Sequence, residues 1–298
     1  MRQRGFGGRT VLTLESRRAP ELALLVLNYG GMPVVAPSVR EVPLDSNEHV
    51  LTFADDVIAR RFGMVILMTG VGVRMMLKSL PGAGRRDEFI AALARTRIVA
   101  RGPKPVAALR EIGLTPWATA PSPNTWRDLL TTLDLRRTDA PLAGLRVAVQ
   151  EYGLPNAEFE QELRARGAEV TTVSIYRWSM PEDIVPLRRA VWAIVRGEID
   201  VVILTASIQL VHLLRVAGDM GLEAAVRRGL DRTIVASIGP MTSEELRHHR
   251  LPIDLEPSRP KMGFLVKEVA ERCEALLQAK RNERAETPES TAVWVQQR

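Results

Sequence analysis

Tyr176 is one of three tyrosines in 298 residues and stands in the extended stretch Thr171–Met180, within Ser174-Ile175-Tyr176-Arg177-Trp178. A phenol there can donate a proton or a hydrogen bond, or the ring can simply fill a strand with its hydroxyl on water. Four short turns follow apolar runs and carry small or hydroxylated residues. They are Thr69-Gly70-Val71-Gly72-Val73, Arg101-Gly102-Pro103-Lys104-Pro105, Thr205-Ala206-Ser207 and Ile238-Gly239-Pro240-Met241-Thr242. A strand-to-helix turn presents backbone N–H groups that have no helical partner, a natural seat for an anion. Thr69, Gly70, Val71, Arg101, Gly102, Lys104, Thr205, Ala206, Ser207, Gly239, Met241 and Thr242 are therefore candidate contacts for carboxylate or phosphate. Taken singly, Thr69, Thr205 and Thr242 read as helix N-caps or turn residues. Four such turns at matched places shift the reading toward a binding surface.

Other chemistries lack their residues. Gly70-Val71-Gly72 has Met75 where a dinucleotide fingerprint needs its third glycine, and no Gly-Lys-Ser/Thr occurs. The four histidines show no metal-ligand spacing with a third ligand, and no Gly-x-Ser-x-Gly elbow is present. Activity without metal, flavin or nucleotide is expected. The single cysteine, Cys273, falls on a helix-like segment and reads as a buried, inert thiol. The net charge of +6 favours an anionic partner. The arginine pairs lie in different elements and aromatics make up only 5%, which disfavours nucleic acid. No apolar run approaches a membrane span, and Met1-Arg2-Gln3-Arg4 leads into glycines rather than a signal core, so a cytoplasmic protein away from membranes is expected.

The elements that must position these turns nearly repeat along the chain. Gly8 before Thr10–Leu14 matches Gly144 before Leu145–Val149 at an offset of 136, and the same offset relates Gly31 to Gly167 and Thr69 to Thr205. Gly102-Pro103 then matches Gly239-Pro240. Two copies of one α/β unit with a cleft between two domains follow from this order. Short Val/Ile/Leu runs alternating with helical patterns imply parallel strands covered by helices. Strands are expected at 10–14, 33–36, 64–69, 97–100, 116–119, 145–150, 169–173, 200–205, 233–237 and 252–255. Helices such as 20–29, 71–80, 106–111, 155–166, 208–217 and 243–248 lie between them. Gly113 and Gly167 suit the left-handed position after a helix. The stretches 37–43 and 171–180 are the expected crossings between domains, and 281–298 is expected to be a disordered tail.

With those motifs in order, the chain from about Gly8 to Leu277 resembles the uroporphyrinogen-III synthase family. Val201–Ser207 resembles its strand ending in a Thr/Ser turn, Ser237–Leu246 its Gly-x-x-Thr turn and helix, and Gly167–Val170 leading to Ile175-Tyr176-Arg177 the segment bearing its tyrosine. The resemblance implies an α/β fold of two flavodoxin-like parallel-sheet domains joined by a two-stranded connection. Residues 1–40 with 174–280 would form one domain and 41–173 the other. It also implies closure of linear hydroxymethylbilane, with inversion of the last pyrrole ring and loss of water, in a tetrapyrrole (porphyrin, heme) pathway. Tyr176 would serve the leaving hydroxyl, a closing cleft would shield the azafulvene cation, and the partner would be the small-molecule substrate of a monomeric enzyme. The first-repeat turns depart from the family: Thr69-Gly70-Val71 stands where many members have Thr-Ser-Pro, and Gly102-Pro103-Lys104-Pro105 where they have Gly-x-x-Thr. Arg101 and Lys104 could replace the missing hydroxyls by pairing with carboxylates. A regulatory homologue that binds tetrapyrroles without turnover, or a two-lobed binding protein for anionic ligands, are the alternatives.

Overall fold

A computed structural model describes residues 5–43, 48–80, 82–153 and 155–286. The chain opens with β1 (Thr10–Thr13), α1 (Ala19–Asn28) and β2 (Met32–Val35), then passes through β3 (Arg40–Pro43). A long middle segment follows: α2 (Glu48–Ile58), β4 (Met64–Leu67), α3 (Gly70–Ser79), α4 (Gly82–Leu93), β5 (Arg97–Ala100), α5 (Pro103–Arg110), β6 (Ala118–Thr119), α6 (Trp126–Leu135), β7 (Arg146–Gln150), α7 (Ala157–Ala165) and β8 (Glu169–Val173). The chain returns through β9 (Tyr176–Ser179) to α8 (Val185–Arg196), β10 (Val201–Leu204), α9 (Ser207–Asp219), α10 (Glu223–Leu230), β11 (Ile234–Ser237), α11 (Pro240–His248) and α12 (Met262–Glu286).

Two compact units result, one made of the residues up to Arg40 with those from Met180 onward, the other of Glu41–Ser179. The first has the parallel sheet β11-β10-β1-β2, with Leu255 bridged to Ala236 beyond β11. The second has the parallel sheet β6-β5-β4-β7-β8. β3 and β9 pair as a separate two-stranded sheet at the two crossings. The apolar strands explain the parallel arrangement: Met64–Leu67 and Val201–Leu204 are wholly apolar, Ile234–Ser237 is apolar up to its last residue, and all three are buried throughout, as sheets covered on both faces require.

The repeats and the folded units do not coincide. The first unit takes its front from one repeat (β1-α1-β2) and its back from the other (β10 to Leu255). The second takes β7-α7-β8 from the later repeat and β4 to β6 from the earlier one. In each sheet the strand that begins a repeat, β1 or β7, lies next to the strand ending in a turn threonine, β10 or β4. That junction is the topological switch point, where open α/β sheets hold ligands.

Two boundaries differ from expectation. Ser174–Ser179 belongs with the second unit, because Val173, Ile175 and Tyr176 are buried in the same core as Phe53, Leu67 and Met76. The segment Arg281–Glu286 continues α12 rather than being disordered, and the rest of 281–298 lies outside the described residues. The helix is anchored by Leu265, Val266, Val269, Ala270, Cys273 and Leu277, whose helical spacing feeds the core around Val201 and Ile234, and by the Lys280–Asp254 ion pair at 2.9 Å. Cys273 is buried there, and desolvation pushes its thiol up to about 11, matching the inert reading. Gly113 and Gly167 do adopt positive φ. Among the described residues no helix is long and apolar enough to cross a membrane.

Candidate active site

The sheet register of the second unit aligns the site. Ala100, Leu67, Gln150 and Val173 stand in one row across β5, β4, β7 and β8. The residues just past that row, Arg101, Thr69, Glu151 and Ser174, therefore emerge at one carboxyl edge. Thr69 caps α3: its Oγ1 accepts the Gly72 N–H at 3.0 Å. Its own N–H donates to Gln150 Oε1 at 3.1 Å, and Gln150 Nε2 donates back to Thr69 Oγ1 at 3.4 Å and to the Glu151 carbonyl. Tyr176 also reaches this oxygen, its hydroxyl donating to Thr69 Oγ1 at 3.4 Å. Tyr176 is 2% exposed, so its hydroxyl is not the water-facing end of a strand filler. The ring is fixed edge-on by Trp178, with centroids 5.4 Å apart, and Trp178 Nε1 donates to the Tyr152 carbonyl at 2.8 Å. Gly153 turns beside both rings at φ +89.

Arg101 supplies the charge. Its guanidinium lies 5.5 Å from the Tyr152 ring centroid. Burial pulls its pKa below the ordinary arginine value, partly offset by attraction to the Tyr152 and Tyr176 phenols; it stays a cation. Arg101 is half-buried, and a carboxylate brought to it would pair with the guanidinium.

The sequence places α5 from Val106, but the helix starts at Pro103, which suits the first helical position. Of Pro103, Lys104 and Pro105, only Lys104 carries a backbone N–H, so this turn is no multi-donor anion cradle; its charge comes from the side chains of Arg101 and the exposed Lys104. Gly102 caps α5 in extended backbone. Gly70 packs so closely on this turn that a Cβ would lie 2.4 Å from the Lys104 carbonyl oxygen. That contact explains why the position is a glycine. Val71, half-buried, follows it in the first turn of α3.

In the first unit, Thr205 lies past the end of β10. Its N–H donates to Gln209 Oε1 at 2.8 Å, its Oγ1 accepts Gln209 Nε2 at 2.8 Å, and its hydroxyl donates to Glu15. The Ala206 N–H also donates to Gln209 Oε1, at 3.3 Å, and Ser207 begins α9. Thr205 is therefore not the cap residue. Thr242 is not one either; it is buried at the third position of α11, behind Gly239, Pro240 and Met241. Gly239 N–H instead donates to Ser237 Oγ at 3.3 Å, and Ser243 links Ser237 to Glu256. His212 on α9 is buried, with Nδ1 2.6 Å from the Ser38 carbonyl, and desolvation lowers its pKa.

Reading the ends of β4, β5, β10 and β11 missed the ends of β1 and β7, and with them Gln150, Glu151 and Tyr152. The repeat held the signal: the offset of 136 that relates Thr69 to Thr205 also relates Glu15 to Glu151 and Ser38 to Ser174. Glu151 is buried and accepts a hydrogen bond from Ser174.

Comparison with known proteins adds the following. A family model described as uroporphyrinogen-III synthase HemD matches residues 20–267. A Bacillus subtilis (strain 168) protein named as the uncharacterized protein YjjA is 28% identical over 271 residues, covering 90% of this chain and 97% of that protein. A mutant uroporphyrinogen III synthase from the extremely thermophilic bacterium Thermus thermophilus is 25% identical with a TM-score of 0.67, over 91% of this chain and 100% of that one. The wild-type Thermus enzyme in another crystal form is 26% identical with a TM-score of 0.54, over 92% and 100%.

Proposed function

The chain belongs to the uroporphyrinogen-III synthase family, and we propose that it closes linear hydroxymethylbilane to uroporphyrinogen III, inverting the last pyrrole ring and releasing water. The observation that carries this reading is the grouping of the Tyr176 hydroxyl, Thr69 and the half-buried Arg101 at the switch point of the second unit. Each pyrrole ring of the substrate bears an acetate and a propionate. A charged guanidinium and helix-start turns recognise such groups.

The chemistry follows from the same residues. The bond between the hydroxymethyl carbon and its oxygen breaks, the electron pair leaves with oxygen, and the Tyr176 proton completes the departing water. The tyrosinate left behind is stabilised by the Arg101 cation. The azafulvenium carbon then bonds to the last ring at the α-carbon that already carries its methylene bridge. The bond from that bridge to the ring breaks, leaving an azafulvenium on the neighbouring ring. The bridge carbon re-bonds at the free α-carbon, where the proton expelled as the last ring regains aromaticity restores the phenol. One bilane becomes one macrocycle plus water, with no oxidant or reductant consumed. The buried setting of Tyr176 supports this role, since a proton donor out of water faces less competition from solvent.

Incubation with freshly generated hydroxymethylbilane, followed by resolution of the product isomers, tests the reading. The expected result is type III product after exhaustive chelation and desalting. Type I product alone, at the spontaneous rate, would overturn it. Tight binding of uroporphyrinogen without turnover would instead support the regulatory alternative, which the loss of a hydroxyl at Gly70 favours.

A further inference from the structure

Among the described residues, Arg60, Asn124 and Arg250 carry a left-handed backbone without being glycine. Arg60 follows the end of α2 and Arg250 the end of α11, where that conformation closes a helix. Asn124, at φ +65, stands before a helix instead, one residue ahead of the Thr125 cap of α6. Backbone strain of this kind persists only where the surroundings hold it, and it gathers at ligand sites.

The surroundings of Asn124 are firm. Its side-chain amide donates to the Ala120 and Pro121 carbonyls, each at 2.9 Å, and its backbone N–H donates to the Pro121 carbonyl at 2.8 Å. The Ala120 N–H donates to the Ala100 carbonyl at 3.0 Å, at the end of β5, and the Thr125 N–H donates to Asp128 in the capping box of α6 at 2.7 Å. With its amide protons given to two carbonyls, the side chain is a fixed post beside the neighbouring turn. Gly102 is the residue it meets: a Cβ there would lie 2.9 Å from Asn124 Cγ and 3.0 Å from Asn124 Cβ. Gly102 has φ 179, extended backbone that any residue adopts, so the contact and not the conformation demands a glycine. The same turn meets Gly70 through the Lys104 carbonyl. In the strand order β6-β5-β4, the turn after β5 is thus gripped by the turns on either side.

Arg101 immediately precedes Gly102. Its N–H donates to the Leu67 carbonyl at 3.0 Å, and its guanidinium lies against the Tyr152 ring. We propose that Asn124 is a positioning residue for Arg101: seated on Gly102, it fixes the turn that presents the guanidinium to a ligand carboxylate. This rests on the reading of Arg101 given above.

Asn124→Gly keeps the left-handed backbone, which glycine adopts freely, and removes only the side chain. A residue present for its backbone alone would leave binding unchanged. The expected result is instead an affinity for uroporphyrinogen III weaker by roughly 10-fold at low salt, part of what a charged hydrogen bond is worth. In an Arg101→Gln background, Asn124→Gly should cost nothing further. Unchanged affinity in Asn124→Gly, or an equal loss with and without Arg101, would overturn the proposal. Should Asn124→Gly not fold, Gly102→Ala enters the same cycle with the same expected and overturning results, since it displaces the post with every hydrogen-bonding group intact. A further readout needs no ligand. The Arg101 Nε–H magnetic resonance signal, identified by its loss in Arg101→Gln, should shift in Asn124→Gly. Where the parent does not bind uroporphyrinogen III, the functional reading falls and this signal alone decides the positioning role: a shift sustains it and an unmoved signal overturns it.

Discussion

At the scale of single residues, Tyr176 separates two roles by magnitude. Tyr176→Phe keeps the ring against Trp178 and removes the hydroxyl that reaches Thr69. A proton donor contributes roughly 100- to 10,000-fold in rate, whereas losing one weak hydrogen bond costs stability only about 1 kcal/mol. We expect turnover to fall far more than product affinity, with the spontaneous type I isomer rising, as isomer analysis would register. Arg101 and Lys104 should act on binding instead. Their double alanine variant should lose about 3 to 6 kcal/mol of product affinity at low salt, from charged hydrogen bonds worth about 1.5 to 3 each. The loss should shrink as salt screens the exposed Lys104, which titration calorimetry at two ionic strengths would show. His212 governs pH. Desolvation, with a smaller repulsion from Arg215, lowers the pKa of its buried ring in the folded chain, while the unfolded chain takes up a proton near 6.5. The unfolded state thus binds more protons below that value, so this contribution is fully present above pH 6.5 and lost as pH falls toward the lower folded pKa. Urea midpoints for wild type and His212→Gln should converge as pH falls from about 7 to roughly 5.

At the scale of elements, the β7–α7 turn is what presses β9 into place. Gly153 sits at φ +89, and a Cβ there would lie 2.6 Å from Trp178 Nε1 and 2.9 Å from Tyr176 Cε2. Gly153→Ala therefore meets two faults at once, left-handed strain and collision with both rings. It should destabilise by about 1 to 3 kcal/mol and weaken the Trp178 hydrogen bond to Tyr152, seen as a lower urea midpoint with altered tryptophan fluorescence. The helix starts also resolve at this scale. Pro103 and Pro240 each open a helix, turning residues that read as loop into first-turn positions.

At the scale of the whole molecule, connectivity makes the units unequal. Glu41–Ser179 is continuous and contains all five strands of its sheet with its own core. We expect that fragment, expressed alone, to unfold cooperatively in urea, followed through Trp117, Trp126 and Trp178. A transition without cooperativity would show that its sheet needs the remainder of the chain. The first unit has no such fragment, because β1-β2 and β10-β11 come from opposite ends.

Local chemistry made much of this readable in advance. Runs such as Met64–Leu67 and Val201–Leu204 are too apolar to be anything but covered strands, and Gly113 and Gly167 mark helix ends because the left-handed backbone there favours a residue without Cβ. The turn residues Thr69, Arg101, Thr205 and Gly239 were visible for the same reason: strand, turn and helix follow one another within a few residues. Pairing between distant strands was not visible, since apolar runs of similar composition give no local preference for one neighbour over another. Only the folded chain sets β7 beside β4, bringing Gln150 to Thr69 across 81 positions and Tyr176 to the same oxygen across 107. That each unit is built from half of each repeat was already implied by the family resemblance; the folded chain fixes where the second crossing divides, at Ser179 and Met180, because Ile175 and Tyr176 are buried in the second unit's core.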